Sequence, residues 1–334
     1  MKRVLWMAFT LLGITLVTFA VFDLAPVDRA TVEVARAAQD GAFVDAPARE
    51  TAILQLRLRY GTIDPETYAP RPLAERYLHW LGRAVRLDFA GPNEDPQALW
   101  GRFLAALPVT MLLGFLSVVV ALAIGVPLGG RLGADAGSRL DRLFGRALLL
   151  CSGLPEYLVG TLLLLLFAGV LWNVFPSHGL VSAAAHDWNV VARAADLLWH
   201  LVLPVTVMAL GPTVVVVRFV RDAVARAAAQ PFAEHWRALG LQPEVVRRRL
   251  RHHGAVPLAT LAGGLLPMLV GGSVVVEHLF SLNGLGNLAF QAVRDQDQSM
   301  VMLVVVVGSL ATLLSLLLSD VLHRCVDPRV RLSA

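Results

Sequence analysis

The chain has 334 residues, 56% of them apolar and only 16% charged, with a formal net charge of +4. Its length would suit two soluble domains, but the apolar residues fall in long unbroken runs, which excludes an ordinary water-soluble protein and indicates a polytopic membrane protein. The positive charge does not indicate nucleic acid, because the arginines collect in short connections between those runs.

Runs long enough to cross the hydrocarbon core as helices are read at Val4–Phe22, Phe103–Gly129, Ala147–Trp172, Leu197–Val217, Ala255–Val276 and Met300–Leu322, about six spans. Lys2 and Arg3 precede the first run. Its apolar stretch exceeds the roughly 7–15 residues of a signal peptide, and no small-x-small cleavage site follows, so it reads as an uncleaved first span. The next segment, up to about Trp100, is polar and mixed. ARETAILQLRLRYG predicts a short amphipathic helix closed by Gly61, and PLAERYLHWLGRAVRLDF a second, with the turn chemistry of DPETYAPRP between them. Either helix suits the membrane surface or the outer mouth of a helix bundle.

Arg131, Arg139, Arg142 and Arg146 lie between the second and third runs. Arg221, Arg226, Arg237, Arg247, Arg248, Arg249 and Arg251 lie between the fourth and fifth, whereas the alternate short connections hold Arg193 and Arg294 alone. This asymmetry predicts that both termini and the arginine-rich loops are cytoplasmic, with the long segment from Ala25 outside. Cys151 and Cys325 then fall near cytoplasmic ends, where reduced thiols are expected. Pro108, Pro127, Pro155, Pro204, Pro212 and Pro267 interrupt the runs and predict a packed, bendable bundle. Glu156 and Asp320 are the carboxylates read near membrane depth, both close to an edge.

Several chemistries are missing. Lys2 is the only lysine, so a P-loop is excluded, and there is no HExxH. His252 and His253 are adjacent, which on a helix makes a poor metal pair. No metal, cofactor or catalytic residue is expected in this chain.

The stretch FAEHWRALGLQPEVVRRRLRHHGAVPL, residues 232–258, sits between two greasy runs. Burying the four arginines at 247–249 and 251 at mid-bilayer would cost about 10–14 kcal/mol, so the segment belongs in water. Phe232, Trp236 and Leu239 fall at i, i+4 and i+7, predicting an apolar face on a short helix. Gly240 is placed to end it, and Pro243 with Glu244 to start another. The predicted product is a helix–turn–helix elbow whose aromatic face needs a cover, either lipid headgroups or a groove on another protein.

The order of residues then shows a resemblance. Glu234, Ala238 and Gly240, with Val256-Pro257 further on, resemble the EAA loop of inner-membrane permease subunits of ABC importers. LLGITLVTFAVFDLAPVDRA, SGLPEYLVGTLLLLLF, FSLNGLGNLAFQAVRDQD and HRCVDPRVRL are similar, in order, to segments of the dipeptide/oligopeptide branch, which also carries nickel chelates, opines and glutathione. Trp236 and Leu239 depart from the small and basic residues expected there, the stretch from Gly240 to Pro257 is about one residue short, and Leu282-Asn283 replaces a common Trp-Pro pair.

The resemblance implies an all-α, multi-pass protein of the bacterial inner membrane with the ABC importer type I permease fold. It divides the chain into a first transmembrane helix (1–24), an extended extracytoplasmic segment (25–100), a permease core (101–325, coupling loop 221–254) and a cytoplasmic tail (326–334). It further implies a second permease forming a heterodimer, two ATPase subunits that bind ATP and Mg, an external solute-binding protein and membrane lipid. Coupling would fall to Phe232, Glu234, Trp236, Arg237, Ala238, Leu239, Gly240 and Pro257, with Phe232 and Trp236 as docking anchors and the arginine cluster for ion pairs and lipid phosphates. Asn283, Gly284, Gly286 and Glu156 are the gate or path candidates. A secondary transporter would need coupling carboxylates near the bilayer midplane, often in inverted repeats, and neither is read here. A membrane scaffold with a static elbow is the other rival.

Overall fold

A computed structural model describes residues 2–25, 28–39, 45–91, 94–169, 171–255, 264–265 and 267–326. Among these residues the regular structure is helical, apart from one bridge pairing Ile63 with Pro70. The chain divides into two compact units, one of residues 1–107 and 287–310, the other of residues 108–286 and 311–334.

The first unit begins with α1 (Lys2–Asp23), whose outward flank is apolar and bare: Leu5, Trp6 and Phe9 are all strongly exposed, as expected for a helix bathed in lipid. Its end is covered by α4 (Leu73–Ala84), which carries the aromatic half of its amphipathic pattern inward. Tyr77 stacks on Trp80 with ring centroids 5.9 Å apart, Phe19 meets both rings, and the Tyr77 hydroxyl lies 2.9 Å from Thr15 Oγ1. Between them come α2 (Arg29–Gln39) and α3 (Ala46–Arg59), the latter closed at Gly61 with φ +65° as the sequence predicts. Ion pairs sew these pieces together: Arg57 to Asp28 at 2.6 Å, Arg76 to Asp23, Arg29 to Glu94, and Arg36 to Asp295.

The long helix α5 (Pro96–Ala134) begins in the first unit and continues through the second. At 39 residues and a rise of about 1.5 Å each, it exceeds the ~30 Å hydrocarbon thickness. Pro108 and Pro127 do not break it, nor do Pro204 and Pro212 break the equally long α8 (Val190–Ala228). In the second unit α5 crosses α8 through Gly125, Gly129 and Gly133. A Cβ on these would stand 2.6 Å from Val216 Cγ1, 2.6 Å from the Val217 carbonyl and 2.4 Å from the Arg221 carbonyl, so the small-xxx-small spacing permits a backbone approach that alanine would forbid.

Among the described residues, four helices are long and apolar enough to cross a membrane: α1, α5, α8 and the last helix, α14, counted below. The expected third span is corrected. Ala147–Trp172 is not one helix but α6 (Arg139–Ser152) and α7 (Glu156–Phe167), bent by 100° at the break. Gly153 caps the first and Pro155, which lacks an N–H and disfavours helix in its predecessor, starts the second. Counting that bent pair gives five. Residues 256–263 and 266 of the expected fifth run, Ala255–Val276, lie outside those described. After α9 (Pro231–Ala238) and α10 (Pro243–Ala255), its described remainder is α11 (Met268–Gly271) and the start of α12 (Val274–Leu279). The chain then runs through α13 (Leu285–Arg294) into α14 (Gln298–Val326).

Candidate functional site

The elbow lies wholly in the second unit. Gln230 precedes α9, Pro231 fills its first position, and the helix ends at Ala238. Gly240 then takes φ +71°, a left-handed conformation that costs a side-chain-bearing residue about 1–2 kcal/mol, and the N–H of Leu241 bonds back to the Trp236 carbonyl at 3.3 Å. Pro243 and Glu244 open α10, as the sequence predicts.

One side of this elbow is core. Ala233, Val246 and Leu250 are fully buried against Val216, Val220 and Val224 of α8 and Ala121 of α5. The aromatic face of the elbow is covered in part from within the chain. Phe232 and Trp236 are half-buried, 4.9 Å apart between ring centroids, and pack onto that same cluster, because the short return through Gly240 folds α9 back against its own bundle. Leu239 carries the exposed apolar surface, at 64% of its area, beside exposed Glu234, His235, Arg237 and Ala238.

The arginine cluster is also more specific than its composition implies. Arg247 reaches Glu244 at 3.1 Å and Asp135 at 3.2 Å, Arg251 reaches Glu244 at 3.0 Å, and Arg249 lies 5.4 Å over the Trp236 ring. Arg221 of α8 binds Asp141 of α6 at 2.7 and 3.1 Å through two nitrogens, the bidentate geometry that fixes direction as well as distance. Pro257, the last residue predicted for the coupling loop, lies outside the described residues.

A second constellation was not foreseen. Glu277 of α12 is completely buried, so the expectation that deep carboxylates are confined to Glu156 and Asp320 is corrected. Thr110 of α5 donates its hydroxyl to Glu277 Oε1 at 2.8 Å and accepts the N–H of Leu285 at 2.8 Å. Three glycines wall the carboxylate: a Cβ would stand 2.8 Å from Oε1 at Gly272, and 2.4 Å and 3.0 Å from Oε2 at Gly284 and Gly286. Two of the predicted gate residues, Gly284 and Gly286, are therefore brought together around an acid that the sequence reading passed over, while Asn283 faces outward. The overlooked signal was an acid inside VVVEHLF, seven and nine residues before the glycines of LNGLG. Glu156 does not join them. It sits exposed at the first position of α7, where a negative charge suits the helix N-terminus, and accepts the Ser273 hydroxyl at 2.8 Å.

No group of three or more His, Cys, Asp or Glu side chains suited to a metal ion occurs among the described residues.

Known proteins bear on this arrangement. The sequence profile described as "Binding-protein-dependent transport system inner membrane component" matches residues 125–332. The oligopeptide transport system permease protein AppB of Bacillus subtilis is 28% identical over 334 residues, covering 98% of each chain. The oligopeptide transport system permease protein OppB of Mycobacterium tuberculosis is 34% identical over 274 residues, 79% of this chain and 82% of that one. The dipeptide transport system permease protein DppB of Lactococcus lactis is 29% identical over 264 residues, 78% of this chain and 82% of that one. With most of its length matched, the chain belongs to the family of binding-protein-dependent transport system inner membrane components: it is a multi-pass inner-membrane permease that works with other subunits of an ABC importer.

Proposed function

We propose that the chain is one of two permease subunits of an ATP-driven importer for peptides or similar small solutes, and that its elbow carries the stroke of cytoplasmic ATPase subunits into the membrane. The observation that carries this reading is the two-sidedness of α9 and α10. Their inner face is continuous with the core of α5 and α8, so a push on the elbow moves packed helices rather than a loose loop. Their outer face leaves Glu234, Arg237 and Leu239 exposed for a groove on another protein. Peptides are suggested by the relatives' names.

On this reading the arginine asymmetry puts the elbow, both termini and the 326–334 tail in the cytoplasm, with residues 25–100 outside and 101–325 forming the permease core. A second permease completes the path as a heterodimer, two ATPases supply ATP and Mg chemistry, and an external binding protein delivers solute. Arg248, exposed on α10, faces lipid phosphates or the ATPase. The Asn283–Gly286 turn, with Glu277 and Thr110 behind it, serves the outer gate.

The test is copurification from native membranes through a C-terminal tag, followed by mass spectrometry. A second permease and P-loop ATPases are expected. Leu239→Glu or Arg237→Glu should release the ATPases and keep the sister permease. A chain recovered alone, in a detergent that preserves known ABC complexes, would put an ion-driven carrier or a scaffold in its place.

A further inference from the structure

The turn from α5 into α6 carries two acids that the sequence reading passed over. One reaches the helix that enters the elbow, the other a helix within it. Asp141 stands in the first turn of α6 and is 7% exposed. Its carboxylate accepts from Arg221 Nη2 at 2.7 Å, from Arg221 Nε at 3.1 Å and from the Gly137 N–H at 2.8 Å. Its own N–H is held at 3.1 Å by the hydroxyl of Ser138, the N-cap of α6. A carboxylate gripped by a planar guanidinium and tied to its own helix cap resists both sliding and swivelling against α8. Asp135 meets Arg247 of α10 at 3.2 Å with both side chains about half exposed, a pair that water and salt loosen. The turn is therefore fastened to α8 and only leans on α10.

The other end of the bent pair is tied as well. Backbone hydrogen bonds approach the bend from both sides, from the Gly153 N–H to the Leu150 carbonyl at 3.1 Å and from the Leu158 N–H to the Pro155 carbonyl at 3.0 Å. At the start of α7, Glu156 accepts the hydroxyl of Ser273, which also caps α12 by accepting the Val276 N–H at 3.2 Å. One turn on, a Cβ at Gly160 would stand 2.5 Å from Leu279 Cδ2, so α7 is pressed against α12. That helix carries Glu277, the carboxylate walled by Gly284 and Gly286. Apolar packing alone would hold the bent pair in place; the two polar joints also fix its direction.

We propose that Asp141 and Arg221 are positioning residues for transport: their joint makes α6 travel with α8, so that α6 and α7 form a second arm by which displacement of the elbow reaches α12. This role rests on the importer reading and adds to it an element outside the elbow. The exposed Asp135–Arg247 pair yields as α10 turns, while the Asp141–Arg221 joint persists through the cycle.

The test uses the intact importer in proteoliposomes, with ATP hydrolysis and uptake of a labelled mixture of di- to pentapeptides measured together. Asp141→Asn, which keeps the shape and removes the charge, should lower uptake per ATP by about fivefold or more, and Arg221→Gln likewise. The double variant should be no worse than either single, because the two side chains act as one joint. The ratio counts only assembled complexes, so a pair that merely stabilised the fold would lower the melting temperature and leave it unchanged. Asp141→Cys with Arg221→Cys, in a background of Cys151→Ser and Cys325→Ser, then separates a lasting joint from a latch. The paired thiols alone should lose coupling, and a short bismaleimide bridging them should restore at least half of it. Coupling blocked by the bridge means the pair has to open, and coupling unchanged in Asp141→Asn means it transmits nothing; either overturns the proposal. A wild type without ATP-driven uptake would sink the importer reading and this role together, whereas equal coupling in wild type and variants would sink this role alone. If the cysteine pair fails to assemble, the Asp141→Asn and Arg221→Gln cycle decides.

Discussion

Thr110→Val is the cleanest test of the buried carboxylate. Valine matches threonine in shape, so no cavity opens, but two hydrogen bonds go at once: the one given to Glu277 Oε1 and the one accepted from the Leu285 N–H, both 2.8 Å long in a fully buried setting. Each buried polar group deprived of a partner costs about 1–3 kcal/mol, so the pair sets a loss of roughly 3 kcal/mol. Thr110→Ser keeps the oxygen and drops only the methyl that lies against Gly272, worth about 1 kcal/mol. At roughly 2–4 °C per kcal/mol for a body of 150–250 residues, the complex should melt about 6–12 °C lower with valine and about 2–4 °C lower with serine. Thermal unfolding in nanodiscs reads both, and solute uptake in proteoliposomes should fall in the same order, because the Leu285 bond anchors the turn after Asn283. Valine melting with the wild type, or serine melting below valine, would refute the view that this hydroxyl holds the turn.

Gly284→Ala should destabilise by about 1–3 kcal/mol, since its Cβ would stand 2.4 Å from Glu277 Oε2, whereas Gly240→Ala meets nothing within 4 Å and bears only the strain of φ +71°, about 1–2 kcal/mol; comparing the two melts, with Gly284→Ala expected to be at least as low, checks this. Leu239→Glu, on a side chain 64% exposed, should move the melting point by no more than about 2 °C yet uncouple ATP hydrolysis from uptake, and retained coupling would take Leu239 out of the contact. Acid should loosen the first unit. Burial pushes the Glu94 and Asp28 carboxyls up, but bonds from Ser299, Gly91 and Arg29 to the first, and from Arg57 and Thr31 to the second, outweigh it, while the Arg36 bond lowers Asp295. Depressed folded values mean the stabilisation is complete above the unfolded range near pH 4 and is lost as pH falls through the folded values, so limited proteolysis of residues 28–100 should accelerate only below about pH 4; unchanged protection at pH 3 would count against these pairs.

The elbow was legible in the sequence because its signals are local. A glycine where the chain must turn left-handed and a proline three residues on act over one or two turns, and neither depends on a distant partner. The bend at Gly153–Pro155 was half legible: the proline was seen, but whether a membrane helix bends at a proline or absorbs it is decided by packing, and α5 and α8 absorb two each while the α6–α7 pair turns by 100°. Which face of α9 points inward was not legible, because Phe232 and Trp236 satisfy an i, i+4 pattern equally well against a partner or against Val220 and Val224. Glu277 was hardest to see, since its partner Thr110 lies 167 residues away and looks like any threonine in an apolar run. The two constellations share one physical logic. Around Gly125–Gly133 and around Gly284–Gly286, glycine is used to bring backbone within a distance that any side chain would forbid, once against a helix and once against a carboxylate. Contacts that tight do not deform gradually, so on the proposed reading a displacement of α8 at the elbow would be met by repacking along the α5 crossing, and α5 also carries Thr110. On that reading, a helix that joins both constellations would give the elbow a mechanical route to the turn that Thr110 holds.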